Sequence, residues 1–158
     1  MNIFLSRKNF YIAILIYSIF AIIYALYIEY YLNYQPCKLC LYQRVPIILA
    51  IFISFVGFNF PKKDEILILI ITTFSVSLII SGYHFGIENG IFEEFKGCSN
   101  NSLDITDKAN LLESLKQTLP NCKDISFTLF GISLAGLNFL SSLTIIIYSI
   151  RTLVYEKK

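Results

Sequence analysis

The sequence predicts an all-α membrane protein, a four-transmembrane-helix bundle with two outward-facing loops that carry its cysteines. Three observations predict it. Hydrophobic residues make up 56% of the 158 residues and charged residues only 15%, where a soluble domain carries about 25% charged. The mean hydropathy is +0.64. Four long runs contain no Asp, Glu, Lys or Arg at all. A soluble domain of this length would need more polar side chain than this to cover its surface. A cytosolic enzyme and a disordered chain are therefore excluded. The net charge of +2 also lacks the basic surplus of a nucleic-acid binder, so the expected surroundings are membrane lipid and no nucleic acid.

A bilayer core about 30 Å thick needs roughly 20 apolar residues per helix. The uncharged runs are 10–28, 45–61, 66–87 and 125–150. The second is short and is expected to recruit residues before Val45. This gives helices at about 10–30, 41–61, 66–87 and 125–150, with outer loops at about 31–40 and 88–124, in a single membrane domain over 1–158. Arg7 and Lys8 precede the first run as they would in a signal peptide. Its apolar stretch is too long for one and no small-residue cleavage site follows, so a retained signal anchor is expected. Helices two and three are joined only by Pro61-Lys62-Lys63-Asp64-Glu65 and must be antiparallel neighbours.

Seven Lys and Arg fall in the 21 residues of 1–9, 62–65 and 151–158, against six in the 53 residues of 29–44 and 88–124. That bias predicts a multi-pass protein with both termini and the 61–65 turn in the cytoplasm. Tyr24, Tyr27, Tyr31 and Tyr34 suit an aromatic belt at the outer membrane surface. Gly82-x-x-x-Gly86 and Gly131-x-x-x-Ala135 read as small-residue pairs that let helices approach. Leu111, Leu112, Leu115 and Leu119 share one face, which predicts a helix over 108–119 lying on the bilayer.

All four cysteines, Cys37, Cys40, Cys98 and Cys122, fall in the outward segments. Buried cysteines serving only as small apolar side chains would be scattered through the helices. An oxidising compartment favours disulfides. Cys37-Lys38-Leu39-Cys40 is a C-x-x-C, which favours a local pair and leaves Cys98 with Cys122. So small a ring adds little stability, and a redox-active pair is the better reading. Four thiolates could instead hold zinc, but the 98–122 spacing makes a poor zinc knuckle, and no metal is expected. Cys40 stands at the outer start of helix two, where unpaired N–H groups favour a thiolate. Arg44 is one turn further on. Pro46 complicates that geometry, since it disfavours helix at Val45.

These residues carry a resemblance. Pro36-Cys37-Lys38-Leu39-Cys40-Leu41-Tyr42-Gln43-Arg44 is similar to the signature of the DsbB family, disulfide bond formation proteins of bacterial inner membranes. Tyr83-His84-Phe85-Gly86-Ile87-Glu88 resembles that family's Tyr-His segment ahead of its third cysteine. Cys122 and the run 127–135 resemble its approach to the last helix. The 99–121 stretch matches nothing in that pattern.

The resemblance implies a thiol:quinone oxidoreductase that reoxidises a DsbA-like periplasmic thioredoxin-fold protein. A strong disulfide oxidant is recharged only by something more oxidising still, and a membrane quinone qualifies. By the same resemblance, Cys37, Cys40, Cys98 and Cys122 are catalytic. The partner would attack Cys98, Cys37 would exchange with the loop pair, and Cys40 would face ubiquinone or menaquinone with Arg44 stabilising developing charge. His84 is expected at the quinone as a contact or proton source, with Glu88 as its neighbour or a mark of the membrane boundary. Two other readings remain at this stage. One is a vitamin K epoxide reductase-like enzyme, although those carry the active C-x-x-C late in the chain. The other is a non-enzymatic membrane protein braced by structural disulfides. Electron flow in the reducing direction would need a cytoplasmic cysteine, and none is present.

Overall fold

A computed structural model describes residues 7–93, 122–123, 128–129 and 131–156. Cys98 and the helix expected over 108–119 lie outside the described residues. Among the described residues, four helices are long and apolar enough to cross a membrane: α1 (Arg7–Tyr30), α2 (Lys38–Asn59), α3 (Asp64–Glu88) and α4 (Leu134–Glu156). A two-residue hairpin, β1 (Thr128–Leu129) and β2 (Ile132–Ser133), pairs Thr128 with Ser133 and Leu129 with Ile132 just before α4. The chain is an all-α, multi-pass membrane protein.

The helices pack in chain order, α1 on α2, α2 on α3, α3 on α4. Polar ties fix their ends. Arg7 of α1 pairs with Asp64 at 2.6 Å, which joins the start of α1 to the start of α3. Asp64 and Glu65 also place negative charge in the first turn of α3, where the helix dipole favours it. At the other end Glu88, closing α3, accepts a hydrogen bond from the Ser133 hydroxyl. The bundle therefore runs up, down, up and down. The 31–37 connection, the end of α3 and the hairpin all meet at one end, and Cys37, Cys40 and Cys122 with them.

The apolar core occupies the opposite half. Tyr11 and Ile14 of α1, Ala50 of α2, and Ile66, Leu67, Ile70 and Phe74 of α3 form it. Phe20, Phe52, Phe55, Ile79 and Val154 point outward and are largely exposed. A soluble protein avoids an apolar surface of that extent, whereas lipid is its natural solvent. Gly57 lets α1 and α2 touch, since a Cβ there would lie 2.8 Å from the Tyr11 ring. Gly57→Leu is expected to destabilise the protein by about 1–3 kcal/mol through overpacking, read as a lower unfolding midpoint in detergent. An unchanged midpoint would show that Tyr11 can move aside.

The second helix begins earlier than the apolar run, at Lys38, because Cys37 caps it: its sulfur accepts the Cys40 N–H. Pro46 consequently sits inside α2 rather than at its start, and the Tyr42 carbonyl loses its helical donor there. The fourth helix starts later than the run from residue 125 suggests. Gly131 has φ +81°, which ends any helix there and turns the hairpin. Ser133 then caps α4 by accepting the Gly136 N–H at 3.1 Å.

The expected small-residue pairs are also reassigned. Gly82 faces Phe139 of α4, whereas Gly86 accommodates the Phe92 ring as the chain folds back after α3. Gly131 lies outside the helix, and Gly136 is the residue of α4 that receives Phe85. Of the tyrosines, Tyr27, Tyr31 and Tyr34 are exposed, with Tyr27 and Tyr31 stacked at 4.9 Å, while Tyr24 and Tyr34 also border a cavity.

Candidate functional site

Three of the four cysteines meet where α2 begins. Cys37 is extended, at φ −71° and ψ 169°, as expected of a cap residue. Its thiol lies 3.1 Å from the Cys40 sulfur and donates to it. That hydrogen bond, then burial, pushes the Cys37 thiol up to about 12. A thiol so raised keeps its proton at every pH below that value, so charge on this pair rests on Cys40. Cys37 is accordingly expected to resist iodoacetamide at pH 8, and Cys40→Ala, by removing the first cause, to speed its labelling several-fold. Mass spectrometry of the labelled peptide reads both results; fast Cys37 labelling in the wild type would contradict the assignment.

Cys122 is buried beside this pair. The sulfurs of Cys37 and Cys122 and a ring nitrogen of His84 all lie within 4.8 Å of one another. Such a cluster has the spacing of a metal site, and equally that of a place where one sulfur attacks another. For a metal, Cys37 would first have to give up the proton it shares with Cys40.

His84 is 3% exposed and occupied on both nitrogens. Its Nε2 is 3.6 Å from the Cys37 sulfur and 3.6 Å from Glu88 Oε1. It also meets the backbone of Cys122. Its Nδ1 receives Gln43 Nε2 at 2.8 Å. Gln43 Oε1 in turn accepts from Asn138 Nδ2 of α4 at 3.1 Å. Neither amide stood out in the sequence. Gln43 fell inside the C-x-x-C segment without an assigned role, and the only signal for Asn138 was an amide within a long uncharged run, a costly placement in lipid unless it has a partner.

Arg44 lies one turn beyond Cys40 and is half-buried. Its guanidinium is held at 2.5 Å by Glu29, which in the sequence only marked the end of the first span. Glu88, a second acid at this end, is 7% exposed and bridges His84 to Ser133.

Between these groups lies a cavity of about 620 Å³. It is lined by the second half of α1, the start of α4, the first turns of α2 and the end of α3. Tyr17 Oη donates to Ser141 Oγ at 2.5 Å and links α1 to α4 at the cavity's inner end. Most of its wall is apolar. Cys40, Gln43, Arg44, His84 and Asn138 bring the polar groups into it. An apolar wall with a few convergent polar groups suits a lipid-soluble ring, and a cation near a sulfur suits one that becomes negative on reduction.

A sequence profile for the family described as "Disulfide bond formation protein DsbB" matches residues 7–151. An uncharacterized protein of Rickettsia prowazekii (strain Madrid E), RP370, is 32% identical over 146 residues, which cover 89% of this chain and 84% of that protein.

Proposed function

The chain belongs to the DsbB family of disulfide bond formation proteins, and from that premise we propose that it is a thiol:quinone oxidoreductase of the bacterial inner membrane. It reoxidises a DsbA-like thioredoxin-fold protein in the periplasm and delivers the electrons to ubiquinone or menaquinone. The cysteine end faces the periplasm, and both termini lie in the cytoplasm. The Lys and Arg bias supports that orientation.

The partner's thiolate attacks Cys98 of a Cys98–Cys122 disulfide. A partner–Cys98 bond forms, and Cys122 leaves with the electron pair. Cys122 then attacks Cys37 of a Cys37–Cys40 disulfide, and Cys40 leaves as thiolate at the cavity wall. The partner's second thiol resolves the mixed disulfide, which releases oxidised partner and frees Cys98. Cys98 attacks Cys122, and Cys37 leaves and can close again on Cys40. A quinone bound in the cavity supplies the two-electron sink for that closure. Arg44 and His84 border the quinone's space, and the guanidinium offsets negative charge arising there.

The observation that most supports this reading is the meeting of Cys122 with Cys37 and His84 within 4.8 Å, with Cys40 next to Cys37 on the apolar cavity. Exchange needs direct approach of one sulfur to another. The test uses a partner lacking its resolving cysteine. The wild-type protein is expected to trap it as a mixed disulfide on a non-reducing gel, and Cys98→Ala to trap none. Trapping retained in Cys98→Ala would overturn the assignment of the attacked sulfur.

A further inference from the structure

The hydrogen bonds around His84 have a direction. Asn138 Oδ1 faces the hydroxyls of Ser77 and Ser142, both at 3.5 Å. That leaves Asn138 Nδ2 to donate to Gln43 Oε1, and Gln43 Nε2 to donate to His84 Nδ1. A ring nitrogen that accepts carries no proton. The proton of the neutral imidazole must then sit on Nε2. The surroundings of Nε2 agree independently. The groups facing it are the Cys37 sulfur and the Glu88 carboxylate, each at 3.6 Å. A sulfur and a carboxylate are both acceptors.

We propose that Gln43 and Asn138 are positioning residues that hold His84 as its Nε2–H tautomer, so that Nε2–H donates to the Cys37 sulfur when that sulfur becomes the leaving group. The proposal rests on the thiol-exchange reading and deepens it. When the Cys98 thiolate attacks Cys122, the Cys122–Cys37 bond breaks and its electron pair stays on Cys37. No proton need transfer. The donated hydrogen bond stabilises the new anion, as bonds to charged acceptors do more strongly than neutral ones. The raised Cys37 thiol shows why that sulfur benefits, since its anion is otherwise poorly stabilised. With Nδ1–H instead, Nε2 would present a lone pair to the sulfur and repel the charge. His84 thus acts on the sulfur chemistry, while Gln43 and Asn138 act only through His84.

His84 is the sole histidine of the chain, so histidine labelled with nitrogen-15 reports on this ring alone. Spectra of the full-length reduced protein in nanodiscs at pH 8 are expected to show an unprotonated Nδ1 and a protonated Nε2. Gln43→Glu supplies an acceptor where a donor stood and is expected to protonate Nδ1. Gln43→Met and Asn138→Leu are expected to mix the two tautomers and, in a Cys40→Ala background in which Cys37 labels, to slow Cys37 alkylation several-fold. A protonated Nδ1 in the wild type, or ring signals unmoved in all three variants, would overturn the proposal. Altered ring signals with Cys37 alkylation unchanged would overturn the donation to Cys37. These readouts need neither partner nor quinone. Absence of turnover in the wild type beside the expected spectra would therefore count against the oxidoreductase reading and leave the tautomer assignment standing.

Discussion

Cys40→Ser is expected to abolish quinone reduction, with turnover down by at least ~10³-fold, as removal of a nucleophile that no neighbour replaces typically does. The hydroxyl nearly matches the thiol in shape but forms no anion at neutral pH. The Cys37–Cys40 disulfide can then no longer form, so the exchange sequence has no acceptor for the electron pair of Cys122. Cys37 cannot substitute, because without Cys40 it has no C-x-x-C partner with which to close a disulfide as the quinone is reduced. Folding should be little affected, since Cys40 contributes to the α2 start through its backbone N–H, which serine retains. Quinone absorbance followed with reduced partner reads the result. Turnover within tenfold of wild type would mean that electrons leave by another sulfur.

Arg44→Met should lower kcat/KM for quinone by about 10²–10³, the usual cost of losing a preorganised charge partner at a reacting centre. The substitution also strands Glu29, whose carboxylate now pairs with the guanidinium at 2.5 Å and is 23% exposed. A half-buried carboxylate without its cation repels developing negative charge in the same cavity. The double variant Arg44→Met with Glu29→Gln separates the two effects. It should fold as well as wild type and remain slow. Arg44→Lys should recover part of the rate, because it keeps the charge and loses the planar fork. Full recovery in the double variant would instead assign Arg44 the role of neutralising Glu29.

Much of the fold was legible because a bilayer imposes one requirement, length of apolar run, that a sequence displays directly. The early start of α2 followed from the shortness of 45–61. The late start of α4 did not, because residues 125–130 are mainly apolar and satisfy the length criterion as well as a helix would. What decides the boundary is local: the positive φ of Gly131 and the cap at Ser133. A glycine two residues ahead of a serine was visible, but it was assigned to packing.

The candidate site divides the same way. Cys37, Cys40, Arg44 and His84 stood out because a thiol pair, a cation at a membrane surface and a lone histidine are each unusual there. Gln43, Asn138 and Glu29 did not. Their significance lies in contacts between residues far apart in the chain, such as Asn138 to Gln43 and Arg44 to Glu29. A periodicity reading carries no information on such pairs. The meeting of Cys122 with Cys37 is of that kind too, since four cysteines permit three pairings and the order of the chain does not rank an exchange contact among them.

In the proposed reaction, electrons pass from a periplasmic dithiol through both cysteine pairs to a membrane quinone. It is tested most directly by quinone reduction with a reduced DsbA-like partner and the purified protein in lipid. Wild type is compared with Cys98→Ser and Cys40→Ser. The expected result is catalytic turnover in wild type that is lost in both variants, each failing at a different step: no partner oxidation without Cys98, and a single stoichiometric oxidation of the partner but no quinone reduction without Cys40. Wild-type protein that reduces neither ubiquinone nor menaquinone with such a partner, or turnover that survives either substitution, would contradict it.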